Sequence, residues 1–371
     1  MSFLKKLGFL LTYIIPALVV LGYYWGGLWV FSGFVFAYLM IPLLDEIIGK
    51  DPENIANDLV AKISEDKYFE IIVYSMVYVQ LGIVIWGAYV ISLGEMSLIQ
   101  NIGFLLSVMT FTSGGINIAH ELGHKKSKFA RFHSKLILMT VYYMHFYIEH
   151  NKGHHVHVAT PRDPATSKKN QTFYAFWWQT VTGSFRSAWQ IEIERLKRKN
   201  LAVWNPIHNQ MLQFVIFPFL FFAALTWIFS DLQGVFIWQV PVFLLLQSFM
   251  AFSSLESVNY IEHYGIQRRE ISPGKYEKVN PLHSWNADHL LSNLMLFQLQ
   301  RHSDHHAYAV RPYQVLRHFD ESPQLPFGYP VMIMMSLCPP LWFGVMNKRL
   351  EDWKSQACDA EHIAKVLKTT A

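Results

Sequence analysis

The sequence predicts an all-α integral membrane protein with six transmembrane helices in three hairpins and a cytoplasmic helical cap carrying histidine motifs. Three observations predict it. First, of 371 residues 52% are hydrophobic and only 16% charged, where a soluble chain carries about a quarter charged. Second, the missing charge is absent from long blocks, and such blocks read as bilayer spans. Third, the 17 histidines gather in the segments that do carry charge.

Apolar stretches long enough to span fall at about 7–25, 28–48, 69–91, 98–119, 211–229 and 235–253. They pair through turns at Gly26-Gly27, near Leu93-Gly94-Glu95, and at Ser230 to Gly234. These turns hold no Lys or Arg. Every cation sits near the N-terminus, at 50–68, at 120–210 or beyond 253. Those segments therefore share one side, which the positive-inside rule makes cytoplasmic. The cytoplasmic segments are then 50–68, 120–210 and 254–371, and residues 1–371 form a single membrane domain. Lys5 and Lys6 precede an apolar run with no small-residue cleavage site, so that run is expected to stay as the first helix. Two shorter apolar runs are not expected to span. Residues 135–148 should form an interfacial helix, and 331–346, broken by Pro339-Pro340, should lie at the interface or pack on the helices.

The cysteines are two, Cys338 and Cys358, which excludes a disulfide framework, a four-cysteine metal site or an iron–sulfur ligand set. Cys338 reads as a small buried residue. The net charge of +4 belongs to one face, densest at Arg195, Lys197, Arg198 and Lys199, with Arg268 and Arg269 further on. Such a face anchors to anionic head groups or receives an acidic partner. Nothing else in the chain suits nucleic acid.

Four histidine groups carry the chemistry. They are His120 and His124 in HELGH, His150, His154 and His155 in EHNKGHH, His263 in NYIEHYG, and His302, His305 and His306 in QRHSDHH. On a helix, residues four apart lie about 40° apart on one face. His120 and His124 can therefore address one ion, and His302, His305 and His306 share a face as well. Gly153 permits close approach beside the wider His150, His154, His155 pattern. Nine ligands exceed what one four- to six-coordinate ion can use, so two metal ions are expected. Imidazole suits several metals and does not choose among them.

Neutral imidazoles leave the ions' charge uncancelled, so carboxylates should stand near. Glu256 and Asn259 share the face of His263, and Glu262 adjoins it. Asp163 and Asp304 are weaker candidates. HELGH also fits the zinc-protease pattern with Glu121 as base. That reading leaves most histidines unemployed. A metal transporter would place its site at the bilayer midplane rather than at the wet ends of spans.

HELGHK at 120–125, EHNKGHHVHVATPRDPATS at 149–167, NYIEHYG at 259–265 and LQRHSDHH at 299–306 resemble the signatures of the membrane-bound alkane 1-monooxygenases. HSWNADH at 283–289, LPFGYP at 325–330 and PLLD at 42–45 resemble them too. Arg162 departs from an acidic residue expected at its position. Fatty acyl desaturases share the three-box plan but lack the EHYG element. The resemblance implies two iron ions, O2 as co-substrate and conversion of a linear alkane to a primary alcohol. It also implies a rubredoxin as electron donor, itself reduced by a reductase, and a bacterial inner membrane. An alkane has no polar handle, so a channel must position it by shape. Phe31, Phe34, Phe36 and Tyr38 of the second span are the expected lining.

Overall fold

The structure, a computed structural model, describes residues 1–357; Cys358 and the end of the predicted cytoplasmic segment lie outside the described residues. Among the described residues, six helical segments are long and apolar enough to cross a membrane: Phe3–Trp25, Gly27–Ile48, Lys67–Leu93, Leu98–Gly123, Gln210–Gln233 and Gln239–His263. The protein is a multi-pass, almost wholly α-helical membrane protein.

Local chemistry sets the ends of these spans. Asp66 accepts the Tyr68 amide at the start of the third. Ser97 and Gln100 form a reciprocal capping box at the start of the fourth. Asn209 accepts the amides of Met211 and Leu212 ahead of the fifth. Gly94 and Gly234, with φ of 67° and 68°, close the third and fifth in left-handed geometry that side chains avoid. The first two spans are irregular where proline removes a ladder donor. Pro16 follows a 3-10 stretch at Phe9–Tyr13, and Pro42 follows a π-helical stretch at Phe36–Met40.

The fourth span is the centre of the bundle. Lipid gives no hydrophobic drive between helices, so close packing and polar contacts hold them together. Phe31 seats on Gly103, and the buried Gln80 side chain lies against Gly115. Ser107 donates to the Val30 carbonyl at 2.7 Å. Thr140 ties three spans: Gln80 Nε2 donates to its hydroxyl at 2.8 Å, Gln247 Nε2 donates to its carbonyl at 2.8 Å, and Thr112 donates to Gln247 Oε1 at 3.0 Å.

That plug corrects the expectation of an interfacial helix over 135–148. A helix ends at Met139, Tyr142 takes a φ of 51°, and the next begins at Phe146. The turn between is drawn into the bundle because its polar groups complete buried hydrogen bonds.

The spans also run further than hydropathy reaches. The fourth continues from 119 to Gly123, and the sixth runs Gln239–His263 rather than 235–253. Residues 254–263, expected to be cytoplasmic, continue the sixth helix without a break. Polar residues there lower hydropathy without breaking the helix, because the cap buries them. The cap contains Lys128–Met139, Phe146 to His157, Phe173–Arg198, Leu290–Met295, His302–Ala307, Tyr329–Ser336 and Pro339–Ala357. It also contains a small antiparallel hairpin, Glu270–Ser272 with Lys275–Tyr276, which the all-helical expectation lacked. The 331–346 run is two helices, one packed on the sixth span and the second started by Pro339. Cys338, expected to be buried, is exposed at the break between them.

Neighbouring glycines test this packing. A Cβ on Gly115 would overlap Gln80, whereas one on Gly114 meets nothing within 4 Å. Gly115→Ala should destabilise the detergent-solubilised protein by about 1–3 kcal/mol, and Gly114→Ala should not. Equal thermal midpoints for the two variants would refute the close packing of Gly115.

Candidate metal centre

The nine histidines converge in two adjoining groups. One holds His120, His124, His150, His155 and His305; the other holds His154, His263, His302 and His306. Within each group one ligand nitrogen per residue lies within 4.8 Å of the others. His124 and His155 are half-buried and the other seven are buried.

Backbone form sorts the residues between the groups. His150–His154 is π-helical. A π turn bonds i to i+5, so residues five apart stack rather than those four apart. His150 and His155 therefore meet, with Nε2 atoms 3.0 Å apart, and His154 is turned into the other group. Gly153 gives this turn its room, because a Cβ there would come 2.5 Å from Glu149 Oε1. In the short helix His302–Ala307, His302 and His306 approach Nε2 to Nε2 at 2.9 Å. His305 falls in the other group, contrary to the one-face expectation. It crosses to His155, at 3.1 Å.

HSWNADH is the strut between the sixth span and this helix. A helix end leaves carbonyls unpaired. The Trp285 amide and the Ser284 hydroxyl donate to the Glu262 carbonyl at 2.8 and 3.0 Å, and the Trp285 indole donates to the Tyr264 carbonyl at 3.0 Å. Asn286 then accepts the Ser303 amide at 2.8 Å, ahead of His305 and His306. His263 and His302 are thus fixed relative to each other by one loop.

The donor set fits a pair of cations. His120 Nε2, His124 Nε2, His154 Nε2, His302 Nδ1, His306 Nδ1 and both nitrogens of His263 are buried without a hydrogen-bond partner. Burying that many unpaired nitrogens is costly, and metal ions at the two foci would take up lone pairs. Burial also keeps the ligands in the metal-binding, neutral form. It pushes His124 down to about 4, and it holds His150, His155, His302, His305 and His306 well below ordinary histidine, helped by neighbouring histidines.

The candidate carboxylates divide by what they touch. Asp163 accepts from His154 Nδ1 at 2.9 Å and is held by the Thr166 hydroxyl and the Ala165 amide. Burial opposes its ionisation, but His154 and Thr166 hold it below the usual carboxylate range. It fixes the His154 ring with Nε2 turned inward, as outer partners of metal ligands do. Glu262 lies 3.0 Å from His302 Nε2 and accepts from the Tyr329 hydroxyl at 2.7 Å. Glu256 stands back. It accepts from Tyr143, Thr180 and Asn259 at 2.8, 2.7 and 3.0 Å, so Asn259 serves Glu256 rather than a histidine. Asp304 turns away and binds Arg311 and the Arg317 amide, which pins the 311–317 loop. Glu121 leans toward Lys125, 4.0 Å away, and belongs to neither histidine group, which disfavours a protease base.

Sequence reasoning passed over Tyr329, Tyr143 and Glu149. Glu149 is buried, which together with Asp163 and Glu256 raises it well above ordinary glutamate. Its signal was adjacency to His150. The signal for Tyr329 was its place in LPFGYP.

An apolar cavity runs between the first, second, fourth and sixth spans and under the cap. Its walls include Ile15, Ala37, Ile41, Phe111, Gly114, Leu255, Val258 and Met295. Tyr38 lines it, with its hydroxyl 3.4 Å from Ser254 Oγ. Phe31, Phe34 and Phe36 do not. Phe31 packs on Gly103, Phe34 on the Tyr38 ring, and Phe36 against Ala37, Ile41 and neighbours. The expected aromatic lining is thus reduced to Tyr38, because helix packing claims the other rings. Asn117, Leu299 and Tyr329 also line the cavity; Asn117 and Leu299 lie three positions before His120 and His302, and Tyr329 donates to Glu262.

Residues 97–336 match the fatty acid desaturase family. Alkane 1-monooxygenase 2 of Alcanivorax borkumensis is 43% identical over 87% of this chain and 83% of its own length. The alkane 1-monooxygenase of Acinetobacter baylyi is 41% identical over 86% and 76%. The xylene/toluene monooxygenase hydroxylase component XylM of Pseudomonas putida is 28% identical over 92% and 89%. With this framework and these relatives, the chain belongs to the alkane 1-monooxygenase family.

The depressed histidines give a pH prediction. Unfolded imidazoles ionise near 6.5, while the folded ones resist protonation. The unfolded state therefore binds more protons below that pH, and stability falls as pH falls. The metal-free protein in detergent should hold its thermal midpoint above about pH 7 and lose it progressively toward pH 4. A midpoint that rises on acidification would contradict the burial of these rings.

Proposed function

We propose that this chain hydroxylates linear alkanes at a terminal methyl, using O2 at two iron ions held by His120, His124, His150, His154, His155, His263, His302, His305 and His306. The observation that carries the reading is the pair of histidine groups beside an apolar cavity, joined through Tyr329, which lines the cavity and donates to Glu262 next to His302. The relatives' names supply the substrate class. Residues 1–371 act in this reading as a single domain in a bacterial inner membrane, with the site on the cytoplasmic side.

Bound iron would supply the oxidising chemistry; the protein supplies position and surroundings. The cavity holds the chain by shape, since no polar group can grip it. Its closed end limits how far the chain advances, which selects the terminal carbon. Its apolar walls keep water from the reacting end. Asp163 keeps the His154 ring in one tautomer and one orientation.

Electrons would come from a rubredoxin, reduced in turn by its reductase. A surface cleft lined by Arg162, Lys168 and Gln267 has Asp163 in its wall, and Asp163 touches His154. This basic opening is a short route from an acidic carrier to the second histidine group. Arg162, where the family pattern suggested an acid, adds to its positive charge.

Membranes containing the chain, supplied with O2, a linear alkane and a reducing system, should yield the primary alcohol, and the purified protein about two irons per chain. An alkene product would select a desaturase, and one zinc without iron would overturn the reading. Turnover with an acidic carrier should slow as salt rises, because screening weakens steering by exposed charges. A rate flat from low to high ionic strength would remove the basic opening as the docking point.

A further inference from the structure

We infer that Tyr329 is a positioning residue for the metal centre: its hydroxyl holds the Glu262 carboxylate against His302 while the same residue lines the apolar cavity. The inference rests on the metal-binding reading above and adds a residue to it.

Both halves of the side chain are committed. Tyr329 is fully buried, lines the cavity, and donates to Glu262 Oε1 at 2.7 Å. The other carboxylate oxygen, Oε2, lies 3.0 Å from His302 Nε2, the nitrogen that also faces His306. Glu262 is itself buried and has no lysine or arginine partner among the described residues. With the phenol absent, one oxygen would be left unpaired in a dry site, and the carboxylate would lose the contact that sets its rotamer.

Tyr329 is in turn held from behind. Its backbone amide donates to Gln300 Oε1 at 2.9 Å, Gln300 Nε2 donates to Ser292 Oγ at 2.8 Å, and the Ser292 amide donates to Asp45 Oδ1 at 3.0 Å. Asp45 is the last residue of PLLD on the second span. Gly328 completes the seat, since a Cβ there would come 2.7 Å from Asp45 Oδ2 and 3.1 Å from Ser292 Oγ. PLLD and LPFGYP thus form one brace running from the second span to His302. Ser292 and Tyr329 of this brace also line the cavity, so one side chain touches both the cavity and the carboxylate beside His302.

The test uses the full chain in detergent loaded with ferrous iron, with Tyr329→Phe and Glu262→Gln made singly and together. Phenylalanine keeps the ring and removes only the hydroxyl. Tyr329→Phe should release iron to excess chelator about tenfold faster than wild type. Its kcat should fall while KM for the alkane stays unchanged. Combined with Glu262→Gln, it should change the release rate by less than about twofold, because its effect passes through Glu262. Release at the wild-type rate, or equal acceleration in both backgrounds, overturns the inference. A wild-type chain that takes up no iron overturns the metal-binding reading instead, and this inference with it.

Discussion

The structure depends on holding many neutral imidazoles face to face in a dry place. Each buried nitrogen without a partner is costly, so the surrounding elements must be rigid enough to prevent escape. The fourth and sixth spans provide that rigidity by continuing as helices beyond their apolar stretch, carrying His120, His124 and His263 into the cap. Much of what the rest of the fold does can be understood as bracing for those two helix ends.

The braces are polar and specific. The 283–289 loop satisfies the last carbonyls of the sixth span and then hydrogen-bonds the first residues of the His302 helix. Thr140 anchors the chain just before the His150 segment to the third and sixth spans, and Gln247 passes the tie on to the fourth. Asp304 looks like a ligand by spacing, yet spends its charge on Arg311. Paired there and with the Arg317 amide, Asp304 belongs to neither histidine group. The same fold keeps an apolar face beside this polar one. Ser254, Leu255 and Val258 of the sixth span line the cavity, while Glu256, Asn259 and His263 lie on a neighbouring face. One helix thereby separates the apolar cavity from the histidine groups by a fraction of a turn.

Spans and histidines were legible because their signals are local and strong. Long apolar blocks must be helices in lipid, and nine histidines in four short motifs have few other uses. Asp163 was legible only as a weak candidate, since nothing in the linear order shows that Pro164 and Thr166 curl it back onto His154. Phe31, Phe34 and Phe36 were misread because aromatic content alone cannot distinguish a cavity wall from a packing face. Gly103, seventy-two residues away from Phe31, decides that.

By itself the sequence determined the membrane class, the number of candidate spans and the nine clustered histidines. Those follow from composition and short-range spacing. Only the tertiary structure decided how the histidines divide. An α-helical reading pairs His150 with His154, but a π turn pairs His150 with His155 instead. That turn exists because Gly153 admits Glu149 beside it, and the spacing rule cannot see a change of helix type. Likewise only the fold brings Asp45, Ser292, Gln300 and Tyr329 into line behind Glu262. Hydrogen bonds between residues so distant in sequence are set by packing, not by any local preference of the chain.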